Sequence, residues 1–365
     1  MHLEIRVQNQ LIRPKLIKGM KNMAKMKAVG IYDHLPIDHQ DSLVDLTVEK
    51  PTPTDHDLLV EVKAISVNPI DTKVRKRKPQ TNETYPKILG WDVAGVVQET
   101  GKACTLFQKG DPVFYAGDLT RPGGNSQFHV VDERIVGKMP NRLSFTEAAA
   151  LPLTGLTAYE ALFDRLGIPL DPKQNQGKFL LLIGAAGGVG SIAIQLANLA
   201  GLTVIATASR DASQAWCKQL GAHHILNHHL PLAEQLQNLG VQWVDYIFCL
   251  YQTDHYWTQM VEVIKPQGKI CAIVDAANSV DLNLLKAKSI TFSWESMFTR
   301  SLFQTDDLIR QHHILNQLAE WVDDGKIQTT LQEVIQPIDA EHVRLAHQKI
   351  ESGKTIGKIV LTHFA

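Results

Sequence analysis

Residues 179–208 constrain this chain more than any other stretch, because thirty consecutive positions carry no charged side chain. That length could span a bilayer. The stretch also holds Gly184, Gly187, Gly188, Gly190 and Gly201, with Gln195 and Asn198 among them. Glycines packed that densely would break a membrane helix at its centre. A buried strand (179–183), a glycine turn, a buried helix and a second buried strand (203–207) account for all of them, and the membrane reading fails.

The turn reads Gly184-Ala185-Ala186-Gly187-Gly188-Val189-Gly190. Aligned to GxGxxG, Ala185 stands at the first glycine, Gly187 at the second and Gly190 at the third. Gly187 would let the backbone approach a pyrophosphate, and Gly190 would let the helix pack closely on the strand. The helix N-terminus would offer N–H donors and a positive dipole to the phosphates. Strand, turn and helix in that order make this a dinucleotide site rather than a bare glycine turn. Which dinucleotide is read at the end of the second strand. NAD-binding folds place an acid there for the ribose 2′-hydroxyl, whereas this chain has Ser209-Arg210, with Asp211 one residue later. A hydroxyl and a planar cation suit a 2′-phosphate, so NADPH is the expected cofactor. The alternative leaves Arg210 in solvent and turns Asp211 to the ribose.

At 365 residues the chain is long enough for about two domains. Lys+Arg 37 against Asp+Glu 38 leaves a formal charge of −1, which argues against a protein that mainly grips nucleic acid. Cys104, Cys217, Cys249 and Cys271 form no CxxC, which excludes a disulfide framework and a Cys-only zinc site. Residues 1–25 are basic and lack an apolar core and cleavage site, so they read as a loose extension and the protein as cytoplasmic. From Met26 to about Pro152, short apolar runs between turn residues predict a mostly-β domain. From about Lys178, strand-like runs alternate with helix-length segments at 191–200, 212–220 and 255–264, predicting a parallel sheet covered by helices. A long helix over 306–324, a strand at 331–335, a short helix over 339–351 and a strand at 358–362 follow.

Several motifs together carry a resemblance: Val67-Asn68-Pro69-Ile70-Asp71, residues 89–95, Gly110-Asp111-Pro112-Val113, residues 151–158, the glycine turn, and Gly357-Lys358-Ile359-Val360. From Met26 to Leu361 the chain resembles the medium-chain dehydrogenase/reductase superfamily, most closely its quinone oxidoreductase branch. Residues 294–300 add a likeness to the zinc-type alcohol dehydrogenase-like group. The resemblance implies an α/β protein: a GroES-like mostly-β catalytic domain over 26–152 and 298–365, and an inserted Rossmann doubly wound parallel-sheet domain over 153–297. It further implies a substrate cleft between them and cofactor contacts from Thr154, Ala186, Gly187, Gly188, Val189, Gly190, Ser209, Arg210, Asn227 and Lys358.

Zinc enzymes of the superfamily place a Cys where this chain has Asn68, a His-Glu pair at Trp91-Asp92, and a third ligand near Thr154. Only Asp92 could ligate, so no zinc is expected. The paired histidines His223-His224 and His228-His229 read as surface or cofactor-edge residues, and His312-His313 as helix-surface or packing residues. Without a Lewis acid, reduction of an enone or quinone is easier than alcohol oxidation, since the developing oxyanion needs only donors. Asn68 is the first candidate donor. The resemblance puts a Tyr five residues later, where this chain has Lys73, so the proton comes from Lys73 or solvent. Asp71 is expected to pair with Lys73 or cap a turn, and Arg75-Lys76-Arg77-Lys78 to form a solvated loop. A small carbonyl substrate and a homodimer joined at the late strands 269–274 and 290–292 complete the expectation, with neither nucleic acid nor membrane as a partner. The alternatives are zinc-type alcohol dehydrogenase activity and an NADPH-binding redox sensor, or RNA binder, with little turnover.

Overall fold

The computed structural model describes residues 24–79 and 83–364. Of the expected extension over 1–25, only the last two residues fall among them, and the first strand, β1 (Lys25–Ile31), begins one residue ahead of the expected start. β1 pairs antiparallel with β2 (Val44–Glu49). The long strand β3 (Asp57–Ser66) runs through Val67 and Asn68 into α1 (Pro69–Lys76). Pro69 suits the first helical position because its missing N–H would have no intrahelical partner. Next come β4 (Lys87–Ile88), β5 (Val93–Thr100), β6 (Pro112–Tyr115), β7 (Phe128–Asp132) and β8 (Val136–Lys138). A short α2 (Phe145–Ala148) precedes α3 (Pro152–Tyr159), which runs on into a π-helical turn, Glu160–Arg165.

The middle of the chain alternates as expected. It comprises β9 (Phe179–Ile183), α4 (Gly188–Leu199), β10 (Thr203–Thr207), α5 (Asp211–Gln219), β11 (His224–Leu226), α6 (Leu232–Asn238), β12 (Val244–Cys249), α7 (Thr253–Val263), β13 (Ile264–Ala272) and β14 (Thr291–Trp294). All six strands pair in parallel, in the order β11-β10-β9-β12-β13-β14. This is the doubly wound order 3-2-1-4-5-6, whose switch point lies between β9 and β12, and ligands of such sheets bind beyond the C-terminal ends of the strands there. The sheet centre is fully apolar: Leu180, Leu181, Leu182 and Ile183 are all buried, each contributing about 1.5–3 kcal/mol of burial free energy.

After β14 come α8 (Thr299–Phe303), α9 (Arg310–Asp323), β15 (Leu331–Ile335), α10 (Ala340–Glu351) and β16 (Lys358–Thr362). β16 lies antiparallel on β3, Val360 opposite Ser66, so the last strand joins the seven-stranded sheet built by the first half of the chain. A backbone bridge between Gly187 and Gly357 ties this segment to the glycine turn.

One expectation is corrected here. Arg75-Lys76-Arg77-Lys78 is not a solvated loop: Arg75 and Lys76 close α1, and Arg75 is fully buried with its guanidinium on Glu351 and on the Leu35 carbonyl. Asp71 and Arg75 lie four residues apart on the buried face of α1, and Arg75 reaches the end of α10 through Glu351.

Candidate functional site

The glycine turn begins at Gly184, where the backbone has φ +83°, a conformation that a side chain would strain. The glycine demanded by conformation is therefore Gly184, one residue before the Ala185 of the motif alignment. At Gly190 a Cβ would collide with the Ala185 carbonyl, as close helix–strand packing requires. At Gly188 a Cβ would stand 2.9 Å from the Thr154 methyl and 2.8 Å from Cδ of Lys358. Gly187 caps α4, and a Cβ there would meet nothing nearer than the Gly184 carbonyl oxygen at 4.0 Å. The turn thus leaves an open cradle at Gly187, faced by the first N–H groups of α4 at Gly188, Val189 and Gly190, which have no intrahelical acceptor. Those residues fit the pyrophosphate of a dinucleotide. Ala186 anchors the turn, its carbonyl accepting the Gly357 N–H at 2.9 Å.

Ser209 and Arg210 follow β10 at the same edge of the sheet, the first half-buried and the second exposed. The Arg210 guanidinium donates to the Lys354 carbonyl at 2.8 Å, which steadies it beside the rim. Asn227 follows β11 and accepts the His229 N–H at 3.0 Å. The rings of His228 and His229 pack 4.4 Å apart and line an open cavity with Tyr251 and His255. His223 accepts the Val204 N–H at 3.0 Å, and His312 packs in the interior against the Val136 carbonyl at 2.6 Å.

Asn68 and Lys358 meet Asp92 in a buried polar cluster between the glycine turn and α1, with Thr154 beside it. The Lys358 ammonium reaches the Val67 carbonyl at 2.9 Å, the Asn68 side-chain oxygen, and Asp92 at 3.0 Å. Asn68 donates its amide to Asp92 at 2.8 Å, and Asp92 takes the Leu153 N–H at 2.8 Å through its second oxygen. Thr154 donates to the carbonyls of Ala150 and Leu151, each at 3.3 Å. Burial raises the carboxyl of Asp92, and the Lys358 charge works against that. Burial likewise pushes Asp71 up to about 7, against the Asn68 N–H that it accepts at 2.6 Å. Asp71 is therefore the turn-capping acid. The pairing of Asp71 with Lys73 does not form: Lys73 instead reaches Asp275, three residues past β13, at 3.3 Å across the cleft. Asn68 is almost wholly buried, and its strongest donor contact goes to Asp92 rather than into the cleft. Sequence reasoning missed Asp275, for which the sequence offers no signal. It noticed Asp92 only as a leftover metal ligand.

A zinc ion does not fit these side chains. The Asp92 carboxylate is already paired with an ammonium, the Trp91 ring N–H points to the Asp118 carbonyl at 3.2 Å, and the Thr154 hydroxyl is turned to its own helix. Among the described residues no set of three histidines, cysteines or acids is placed to hold a metal ion. Among the described residues no helix is long and apolar enough to cross a membrane.

Residues 54–141 match the alcohol dehydrogenase GroES-like domain, and residues 220–361 match the zinc-binding dehydrogenase family. The chain is 44% identical over 336 residues to a zinc-type alcohol dehydrogenase-like protein of Staphylococcus epidermidis, covering 92% of this chain and 99% of that one. It superposes with a TM-score of 0.89 and 46% identity on the crystal structure of a Rhizobium etli protein assigned as a zinc-dependent alcohol dehydrogenase, over 94% of this chain and 99% of that one. A human quinone oxidoreductase is 35% identical over 178 residues, 49% of this chain and 52% of that one. The chain belongs to the medium-chain dehydrogenase/reductase superfamily, and within it to the zinc-type alcohol dehydrogenase-like proteins. It is thus an oxidoreductase with quinone oxidoreductase relatives, built from a GroES-like domain and a Rossmann domain.

Proposed function

We propose that the protein is an NADPH-dependent reductase that passes hydride to the electron-poor carbon of a quinone, an enone or a related carbonyl compound, without zinc. One observation carries the reading. Where the zinc enzymes gather metal ligands, this chain has a buried ammonium, Lys358, held by Asn68 and Asp92. A cation in that place repels a metal and leaves the chemistry to the cofactor.

The nicotinamide, when bound, supplies the hydride. The N–H groups of Gly188, Val189 and Gly190 bind the pyrophosphate at the open side of Gly187. Ser209 and Arg210 take the 2′-phosphate, with Asn227 beside them. Thr154 and Lys358 pack behind Gly188 and fix the first turn of α4. Lys73, whose ammonium is half exposed in the cleft mouth, meets the substrate oxygen as negative charge develops there and supplies its proton. Asn68 acts as a positioning residue that joins the Lys358 cluster to α1 and so sets where Lys73 stands. The exposed edge strand β14 makes a homodimer the expected assembly.

The test is NADPH oxidation, followed by its absorbance, against a panel of quinones and enones, with zinc content measured on protein purified without added metal. Turnover by the wild type, loss of that turnover in Gly187→Asp, and zinc far below one per chain are the expected results. NADPH binding without turnover across the panel would move the reading to a redox sensor. Stoichiometric zinc retained through chelation would overturn the metal-free site.

A further inference from the structure

Lys73 behaves unlike the basic residues that follow it on α1. Arg75 and Lys76 are both held by Glu351 at the end of α10, and Arg77 is held by Glu83 at 2.5 Å. Those acids belong to the same half of the molecule as α1 itself. The Lys73 ammonium turns the other way and meets the Asp275 carboxylate at 3.3 Å. Asp275 lies three residues beyond β13, in the parallel-sheet half, so this pair spans the cleft between the two halves.

The loop that presents the acid has little freedom to follow the lysine. On one flank of Asp275 the Ile273 N–H donates to the Cys249 carbonyl at 3.3 Å, and the buried Thr253 hydroxyl donates to the Val274 carbonyl at 2.6 Å. On the other flank the Asp254 carboxylate accepts the Asn278 N–H at 3.1 Å and the Asn278 side-chain amide at 2.8 Å. Thr253 and Asp254 open α7, so sheet and helix pin the loop on both sides of Asp275. Asp275 itself projects: its side chain is 92% exposed and that of Lys73 51%. Elsewhere the halves are joined by uncharged groups. Gly187 bridges Gly357, and the buried Gln195 side chain accepts the Gln328 N–H at 2.8 Å and donates to the Gln328 carbonyl at 3.3 Å. Salt does not screen such contacts, whereas it weakens an exposed ion pair.

We propose that Lys73 and Asp275 form a salt-sensitive tie across the mouth of the cleft, in which Asp275 is the positioning residue that holds the Lys73 ammonium in place and slows the parting of the two halves. The joint at Gly187, Gly357 and Gln195 persists while the halves move, and the tie governs how often the mouth opens. Its effect on cofactor release rests on the reading of the glycine turn as the NADPH site. An exposed pair of this kind changes an equilibrium by a factor of about two to five, which is small for the stability of the fold but direct for a ligand that must leave through the mouth.

The experiment measures NADPH release by stopped-flow displacement with excess NADP+, in wild type, Asp275→Asn, Lys73→Met and the double variant. In about 10 mM salt each single variant is expected to release NADPH about two- to fivefold faster than wild type, and in about 1 M salt the ratio is expected to fall to about one. The double variant is expected to release no faster than either single one, since each substitution removes the same contact. Asp275→Glu keeps the carboxylate and is expected to stay nearer to wild type than Asp275→Asn does. Wild-type release from Asp275→Asn in low salt overturns the tie, as does an acceleration that persists in high salt. Effects that add in the double variant overturn the pairing of these two residues. Failure of the wild type to bind NADPH overturns the cofactor reading instead. Amide hydrogen exchange over residues 273–279 then still decides the tie: faster in Asp275→Asn than in wild type in low salt and equal in high salt supports it, and equal exchange in both overturns it.

Discussion

The glycine turn and the Asn68–Asp92–Lys358 cluster touch at Gly188, where the Thr154 methyl and the Lys358 stem fill the space that a Cβ would need. They are built in opposite ways. The turn is seven consecutive residues whose constraints are steric and local: a positive φ at Gly184 and a close approach at Gly190. The cluster draws one residue from the start of α1, one from the start of β5 and one from the start of β16, and nothing local requires any of them. A turn made of backbone can lose contacts piecemeal. A buried ion pair fails all at once, because removing one partner strands the other's charge out of water.

The strongest way to break that contrast is Lys358→Met. It leaves the Asp92 carboxylate buried and unpaired, and about 3–5 kcal/mol of stability should be lost in denaturant melts. Adding Asp92→Asn should restore much of it. A cost below ~1 kcal/mol would show that the cluster does not hold the junction. At the rim of the turn the expected effect is smaller and falls on binding. Arg210→Ala should weaken NADPH by roughly tenfold to a hundredfold, the loss of about 1.5–3 kcal/mol of charge-assisted hydrogen bonding, and leave NADH unchanged. Titration with both cofactors checks it. An equal loss for both would mean that Arg210 acts through its bond to Lys354. The smallest effect belongs to the exposed counterpart of the buried pair, Lys73 with Asp275. Asp275→Asn should shift stability by less than about 1 kcal/mol. A melting curve as damaged as that of Lys358→Met would erase the distinction between the two lysines.

The same contrast governs what could be read beforehand. Strands 179–183 and 203–207 begin and end where the sequence predicts. Apolar runs bounded by glycine or polar residues leave few alternatives there. The membership of the turn and its rim was legible for the same reason. Arg75 was misread because four consecutive basic residues look solvated, and its acid, Glu351, lies 276 positions away. Lys73 was matched with Asp71 because that acid is near in sequence, whereas its partner stands 202 positions on. Asn68 was read as a donor to the cleft, whereas its amide goes to Asp92, and its neighbours in space come from segments that no local pattern links.

The return of β16 to the first sheet has a consequence for how the protein is made. Residues are added from the N-terminus, and domains generally fold as units during synthesis. The six parallel strands end at Trp294, so the parallel-sheet half is complete before β15, α10 and β16 have been added. The first half must wait, since β3 lacks β16 along one edge and Asp92 lacks its cation until Lys358 leaves the ribosome. The nascent chain thus matures from the middle outward. For that interval β3 keeps an open edge, a template for pairing with another chain until β16 covers it.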